Sequence, residues 1–443
     1  MTQYKSWGGY PSIEMQGKAL QQTDRFSDIP VPEGQSFLPY GNGRSYGDVC
    51  LSSKGHLVSS DNLSHFIQFD VHTGVLRCEA GVTLRDILAM AVPQGWFLAS
   101  TPGTKFVTIA GAIANDVHGK NHHLAASFGN HLISFELLRS DGTRLTCSDA
   151  ENSTLFYATI GGLGLTGFIV WAEIQLKPIQ SALMDVESIK YNTLKDFFTI
   201  AEDSEAEFEY TAVWLDSSAT GENLGRGHFL RGNHASTPAL LPANSVKVFE
   251  GKALSFPLMP PISLVNNLTV KAFNQLYYQR QKEVEKNLQQ HFDPFFYPLD
   301  GILNWNRMYG RKGFLQYQCI VPNENAYNSI KELLEKIARS GKGSFLVVLK
   351  TMGDISSQGL LSFSRPGANL AIDFPFQGQK TLDLLAELDK TVLAAGGALY
   401  PAKDACMSAE LFQQAYPHWQ QLQELKDPNI HSDFWSRVTG LSA

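Results

Sequence analysis

Several stretches of the chain carry residue types that chemistry needs. His118, Lys120, His122 and His123 fall within six positions, which places proton-moving imidazoles beside an amine that can serve as a point charge for phosphate. Zinc is the weakest reading of this cluster, because no cysteine or carboxylate stands with it at a familiar ligand spacing. Histidines paired with backbone groups in a buried loop remain an alternative. The run Gly41-Asn42-Gly43-Arg44-Ser45-Tyr46-Gly47-Asp48 sets three glycines around an arginine and a serine. Glycine admits positive φ and lets backbone N–H groups come close to an anion, although a plain glycine turn would look the same. A second such loop, Thr101-Pro102-Gly103-Thr104, leads into Thr108, Ala110, Gly111, Ala112 and Ala114. Two small-residue loops in one unit can clasp a pyrophosphate from both sides. Gln316 and Gln318 share one strand face and could bond sugar hydroxyls or simply face solvent at an edge; Asn369 and Lys350 are candidates of the same kind. Lys403, in Tyr400-Pro401-Ala402-Lys403-Asp404, would by itself be read as a solvated surface amine.

The elements that must hold these residues follow from pattern. From about Phe37 to Leu176, short β-like runs alternate with glycine turns, namely HLVSS, GVLRCEAG, FVTIAGAIAN, ISFELLRSDG and GFIVWAEIQL. One helix interrupts them, with Thr83 and Asp86 forming a capping box, Leu84, Ile87, Leu88 and Ala91 on one face, and Pro93 and Gly95 at its end. Gly162, Gly164 and Gly167 match a dinucleotide fingerprint, but the strand-like FIVWAEIQL follows where a helix should open, so a Rossmann unit is refused. Beyond Lys177-Pro178 longer helical patterns mix with the strands FLQYQCIVP, SFLVVLKTMG and ANLAIDFP, which suggests a second unit. The stretch from His234 to Leu268 has little period and exceeds ordinary loop length. Phe412, Tyr416, Trp419, Leu422 and Leu425 predict a final helical region that Pro417 breaks in two and Asp427-Pro428 ends. The fold class expected is α+β.

Composition bounds the function. The 443 residues are 43% hydrophobic and 18% charged, enough for two large units or three smaller ones and no case for disorder. A net charge of −7 argues against nucleic acid as a partner. Five cysteines without CxxC spacing, Cys50, Cys78, Cys147, Cys319 and Cys406, read as reduced thiols of a cytoplasmic protein. The N-terminal stretch lacks the pattern of a secretory signal. No apolar run reaches spanning length, and the apolar stretch from Phe256 to Leu268 is the candidate for a prenyl chain or a peripheral contact with the inner membrane.

Taken together, GNGRSYGD, the block from Pro102 to His131 with its HGKNHH core, LFYATIGGLGLTG, LQYQ, ANLAIDFP and YPAKD resemble, in the same order, the FAD-linked oxidoreductases of the vanillyl-alcohol oxidase type. Within these the chain is most similar to the branch that oxidises a polyprenyl-phosphoryl ribose on the way to arabinose for the cell envelope. The resemblance implies a bipartite FAD-binding domain over residues 1–180 and 398–443, with an inserted α+β substrate domain, built on an antiparallel sheet, over 181–397. It implies FAD contacts from Gly41, Asn42, Gly43, Arg44, Ser45, Tyr46 and Gly47, from Gly103, Thr104, Thr108, Gly111 and Asn115, and from His118, Ile169 and Tyr400. Substrate contacts would come from Lys120, Gln316, Gln318, Lys350, Asn369 and Lys403. Lys120 would face the phosphate. His118 and Lys403 are the candidate bases, neither preferred.

Many relatives link FAD through a histidine in the first loop; Arg44 stands at that position, which implies non-covalent FAD. Ala371 and Asn115 stand where actinobacterial members carry cysteines, which alters the substrate pocket. The implied activity is removal of a hydride from C2 of a polyprenyl-phosphoryl pentofuranose, leaving a ketone, as the first half of an epimerisation that a separate NAD(P)H-dependent short-chain reductase completes. A soluble alditol- or aldonolactone-type oxidase and a flavin-free binding protein are the competing readings, and no metal is expected.

Overall fold

The computed structural model describes residues 5–236, 254–256, 258–261 and 263–441. It is an α+β fold in two parts. In the first, a five-stranded antiparallel sheet runs in the order Phe66–Asp70, Val75–Glu79, Phe168–Gln175, Leu132–Leu138, Arg144–Ser148. Beside it lies a three-stranded parallel sheet, with His56–Ser59 between Ala19–Gln21 and Phe37–Tyr40. The helix Leu84–Ala91 forms as its sequence predicts. Thr83 Oγ accepts from Asp86 N, the Asp86 carboxylate accepts from Thr83 N, and Leu84, Ile87, Leu88 and Ala91 are buried.

That helix is not alone in this part, and the strand expected for FVTIAGAIAN does not form. Ile109–Ala114 is instead a short helix capped by Thr108, whose Oγ accepts from Gly111 N. Small residues suit it, because the helix packs closely against Phe168–Gln175. Short helices also form over His122–Ala125 and Ser153–Thr159. The strand Phe168–Gln175 does follow Gly162, Gly164 and Gly167, so those glycines open no helix.

The second part holds two antiparallel four-stranded sheets. One is ordered Tyr210–Leu215, Gly227–His234, Leu183–Tyr191, Glu285–His291; the other Val347–Met352, Gly367–Pro375, Phe314–Val321, Ala398–Leu399. The edge strands Tyr210–Leu215 and Val347–Met352 lie alongside each other, so the sheets run on from one to the next. Helices Ala326–Ser340 and Gln379–Ala394 cover one face of the second sheet with Ile330, Leu333, Ile337, Leu385 and Leu388, leaving the other face free to line a site. The aperiodic stretch from His234 to Leu268 lies inside this part: it leaves the strand ending at His234 and enters the helix Asn267–Gln279. Residues 237–253, 257 and 262 of it lie outside the described residues.

Ala398–Leu399 still pairs with Phe314–Val321, and the chain rejoins the first part from Tyr400 onward. Pro417 separates helices Ala409–Ala415 and Trp419–Leu425, as expected, and a further helix, Asp433–Thr439, carries Arg437. The Arg437 guanidinium bonds Asp48 at 2.8 and 2.9 Å and Asp404 at 2.9 Å; both carboxylates are buried. Removing one partner of a buried ion pair strands the others, at a cost of about 3 kcal/mol or more. Arg437→Met should therefore lower the melting temperature by several degrees and weaken retention of any cofactor held by the loop before Asp48; an unchanged melt would show that the triad contributes nothing.

Candidate active site

The two parts enclose one cavity of about 1150 Å³, larger than the several hundred Å³ of a typical drug-sized pocket. Of the residues assigned from sequence to FAD, substrate or catalysis, all but Gly47 line it, whereas His122 and His123 of the histidine cluster do not. Gly47 packs behind the wall: a Cβ there would lie 1.6 Å from the Asp404 carbonyl oxygen, so only glycine lets the first loop meet the stretch that carries Lys403.

One end of the cavity is built from small residues. Gly41 abuts Thr108, where a Cβ would come within 2.6 Å of the hydroxyl, and Gly43 has φ +59. Ala110, Gly111 and Ala114 continue the wall. Asn42 Nδ2 donates to Phe106 O at 3.0 Å, tying the first loop to the second. Arg44 lies over the rings of Trp7 and Phe106, at 4.3 and 5.3 Å, and burial lowers its pKa. Arg44 Nε, Asn115 Oδ1 and His118 Nδ1 are buried side-chain atoms without a hydrogen-bond partner. A flat wall with stranded polar groups fits a large polar aromatic cofactor such as FAD, which would satisfy them.

The other wall is the free face of the second sheet. Register puts Gln316 opposite Asp373, Gln318 opposite Ala371, and Lys350 opposite Asn369, all on that face. Gln318 is 7% exposed, so it is no solvent edge. Its Nε2 donates to Asn369 Oδ1 at 3.3 Å and to His118 Nε2 at 3.1 Å. With Nε2 accepting, the neutral ring carries its proton on Nδ1, and burial together with the charge of Lys350 holds its pKa well below the usual value. His118 is thereby a hydrogen-bond donor to the cavity. Asn369 Nδ2 is likewise buried and unpartnered.

Three half-buried amines face the cavity: Lys120, Lys350 and Lys403. They have partial exposure because they line its interior, and burial brings their pKa values down to about 8, 7 and 8. Lys350 Nζ donates to Gly119 O at 2.9 Å, and Lys403 Nζ lies 3.7 Å from the centroid of the Tyr46 ring. Sequence reading missed Asp373, whose carboxyl accepts from Gln316 Nε2 at 2.7 Å and is pushed up to about 7 by burial. It also missed Tyr297 and Asp300, which bond Thr101 Oγ and Lys105 N and pin the second loop. Only strand register could have pointed to Asp373; for the other two no local signal exists. Among the described residues no group of three or more His, Cys, Asp or Glu gathers as a metal site.

The model of the FAD-binding domain family matches residues 30–148. The decaprenylphosphoryl-β-D-ribose oxidase of Mycolicibacterium smegmatis is 37% identical over 404 residues, 89% of this chain and 87% of that protein. An uncharacterized protein of Streptomyces coelicolor is 32% identical across 78% of this chain and 95% of its own length. The D-arabinono-1,4-lactone oxidase of Yarrowia lipolytica is 26% identical over only 43% of this chain and 38% of its own.

Arg44 offers no imidazole for a covalent link to FAD. Acid precipitation of the yellow protein should therefore release the flavin absorbance into the supernatant, whereas colour kept in the pellet would mean a covalent bond formed elsewhere.

Proposed function

The chain belongs to the FAD-binding decaprenylphosphoryl-β-D-ribose oxidase family, and on that footing we propose that it oxidises C2 of a polyprenyl-phosphoryl ribose, leaving the 2-ketone. FAD, when bound, accepts the hydride. Gly41, Gly43, Gly103 and Gly111 would give it close approach to backbone, and Arg44, Asn115 and Tyr400 would help to hold it.

The observation that carries this reading is the set of three amines in a cavity that also presents amide donors. Lys120 and Lys350 supply charge for a phosphodiester, which a free alditol or lactone would not require. Asn369 Nδ2 would bind a ribose oxygen, and Gln318, which bonds both Asn369 and His118, holds the two side chains in register. Ala371, between Gln318 and Val348 on the sheet, puts no thiol on this face.

A base must take the hydroxyl proton as the hydride leaves. His118 Nε2 is occupied by the Gln318 amide, which leaves Lys403 Nζ, an amine poised near neutrality, as the acceptor. Its site lies against the Tyr46 ring and near Asp373, and protein encloses it from bulk water.

The ketone then needs a hydride from another source. A separate NAD(P)H-dependent reductase would supply it, completing an epimerisation. Among the described residues no helix is long and apolar enough to cross a membrane, and a cytoplasmic protein that meets its lipid substrate at the inner membrane accords with that.

If Lys403 is the base, it acts unprotonated, so kcat should rise with pH to a plateau above about 8. Binding needs Lys120 and Lys350 protonated, so KM should rise over the same range as they lose charge. Lys403→Met should retain flavin and lower kcat by about 10²-fold or more. Anaerobic mixing with polyprenyl-phosphoryl ribose should bleach the flavin of the unaltered protein. Absence of bleaching, or a Lys403→Met enzyme with an unchanged pH profile, would reject the assignment.

A further inference from the structure

The helix Asn267–Gln279 sits at the outer end of the cavity, and its orientation is locked by polar bonds. On its inner face Val270, Asn274 and Tyr278 are buried. Asn274 Nδ2 donates to Asp216 Oδ1 at 2.9 Å and to Ser344 O at 3.2 Å, while Tyr278 Oη donates to Asn192 Oδ1 at 2.6 Å. With those positions fixed, the four-residue stripe Leu268, Ala272, Leu276 must point outward. It does: Leu268 is 79% and Leu276 73% exposed.

Apolar side chains before and after the helix in the chain are open to solvent as well. Leu258 is 76% and Val284 67% exposed, and Met259, Leu264, Ile302 and Leu303 are also open to solvent. A solvated helix normally turns polar residues outward, and an apolar patch of this extent marks an interaction surface. Phe273, Ile302 and Leu303 belong both to this exposed set and to the cavity lining, so the patch is the rim of the cavity mouth.

Charge selects the partner. The chain as a whole carries −7, yet on and just after this helix Lys271, Arg280, Lys282 and Lys286 are exposed, against Glu283 and Glu285. Outward leucines flanked by amines are the composition of a helix that lies in a lipid headgroup layer.

We propose that the outward face of Asn267–Gln279, with Leu258, Val284, Ile302 and Leu303, docks on an anionic bilayer surface and sets the cavity mouth against it. A prenyl chain could then pass into the cavity without crossing water. The purpose assigned to the surface rests on the lipid-linked substrate read above; its existence rests on the exposed side chains. It extends the sequence-based membrane candidate, Phe256 to Leu268, onto the helix that follows.

The test uses the flavin-loaded full chain and vesicles of phosphatidylcholine, with and without phosphatidylglycerol, and no substrate. The unaltered protein should sediment with the vesicles, more strongly with phosphatidylglycerol and less at high salt. Leu268→Ser with Leu276→Ser changes only exposed positions and should weaken partitioning by roughly a hundredfold, since two inserted leucines are lost. Flavin bleaching by a water-soluble short-chain phosphoryl ribose should be the same in both proteins. Failure of the unaltered protein to bind vesicles, or equal binding by the double variant, would overturn the proposal. So would a concentration-dependent dimer of the unaltered protein that the double variant abolishes, which would assign the stripe to a second copy. Leucine-dependent vesicle binding without bleaching in either protein would leave the docking surface standing and reject the substrate instead.

Discussion

Two acids placed directly beside site residues converge on one guanidinium. Asp48 ends the first glycine loop, Asp404 follows Lys403, and Arg437 bonds both. Buried carboxylates at that distance from each other would repel, and only the shared cation lets the loop and the lysine segment lie in contact. Gly47, with no side chain to intrude on the Asp404 carbonyl, removes the steric obstacle to the same approach. The position of Lys403 against Tyr46, and with it the chemistry assigned to that amine, depends on this junction.

A second junction works across the cavity. The inserted part reaches into the first through Gln318, which bonds His118, and through Lys350, which bonds the Gly119 carbonyl. The histidine block is therefore gripped by the sheet that supplies the sugar-facing amides. A sheet with helices on one face and a cavity on the other explains why Phe314–Val321 is buried almost throughout although its residues alternate in character.

Much of this was legible in the sequence, for physical reasons that differ by element. The strands Val75–Glu79, Leu132–Leu138, Phe168–Gln175, Phe314–Val321, Val347–Met352 and Gly367–Pro375 show β-like runs between turns, while the sheet around Leu183–Tyr191 gave no such signal, and the Thr83 to Asp86 capping box is a local device that reads directly. The glycine loops and the histidine cluster stand out by residue type, whereas Asn115, Ile169, Tyr400 and Lys403 are picked out only by the family resemblance. Ile109–Ala114 was misread because alanine, glycine and isoleucine give no polar contrast from which to take a period. Asp373 was missed because its partner, Gln316, is set by register between strands far apart in the chain. The helix Asn267–Gln279 was hard to read for the opposite reason: its inner and outer stripes both contain apolar residues, so two faces overlap in one pattern. Which of His118 and Lys403 is free to take a proton depends on one hydrogen bond, and no sequence spacing reports that.

The distance along the chain between the partners of the first junction has a bearing on biosynthesis. Arg437 follows Asp48 by 389 positions, an interval of about 20 to 80 s at ordinary translation rates. For most of that time the N-terminal sheets can form on the ribosome while the acid beside the glycine loop has no counter-charge, and Lys403 itself is added only 34 positions before Arg437. Closure of the junction around Lys403 is thus a late event in the life of the nascent chain, because its shared cation is the last of its members to be made.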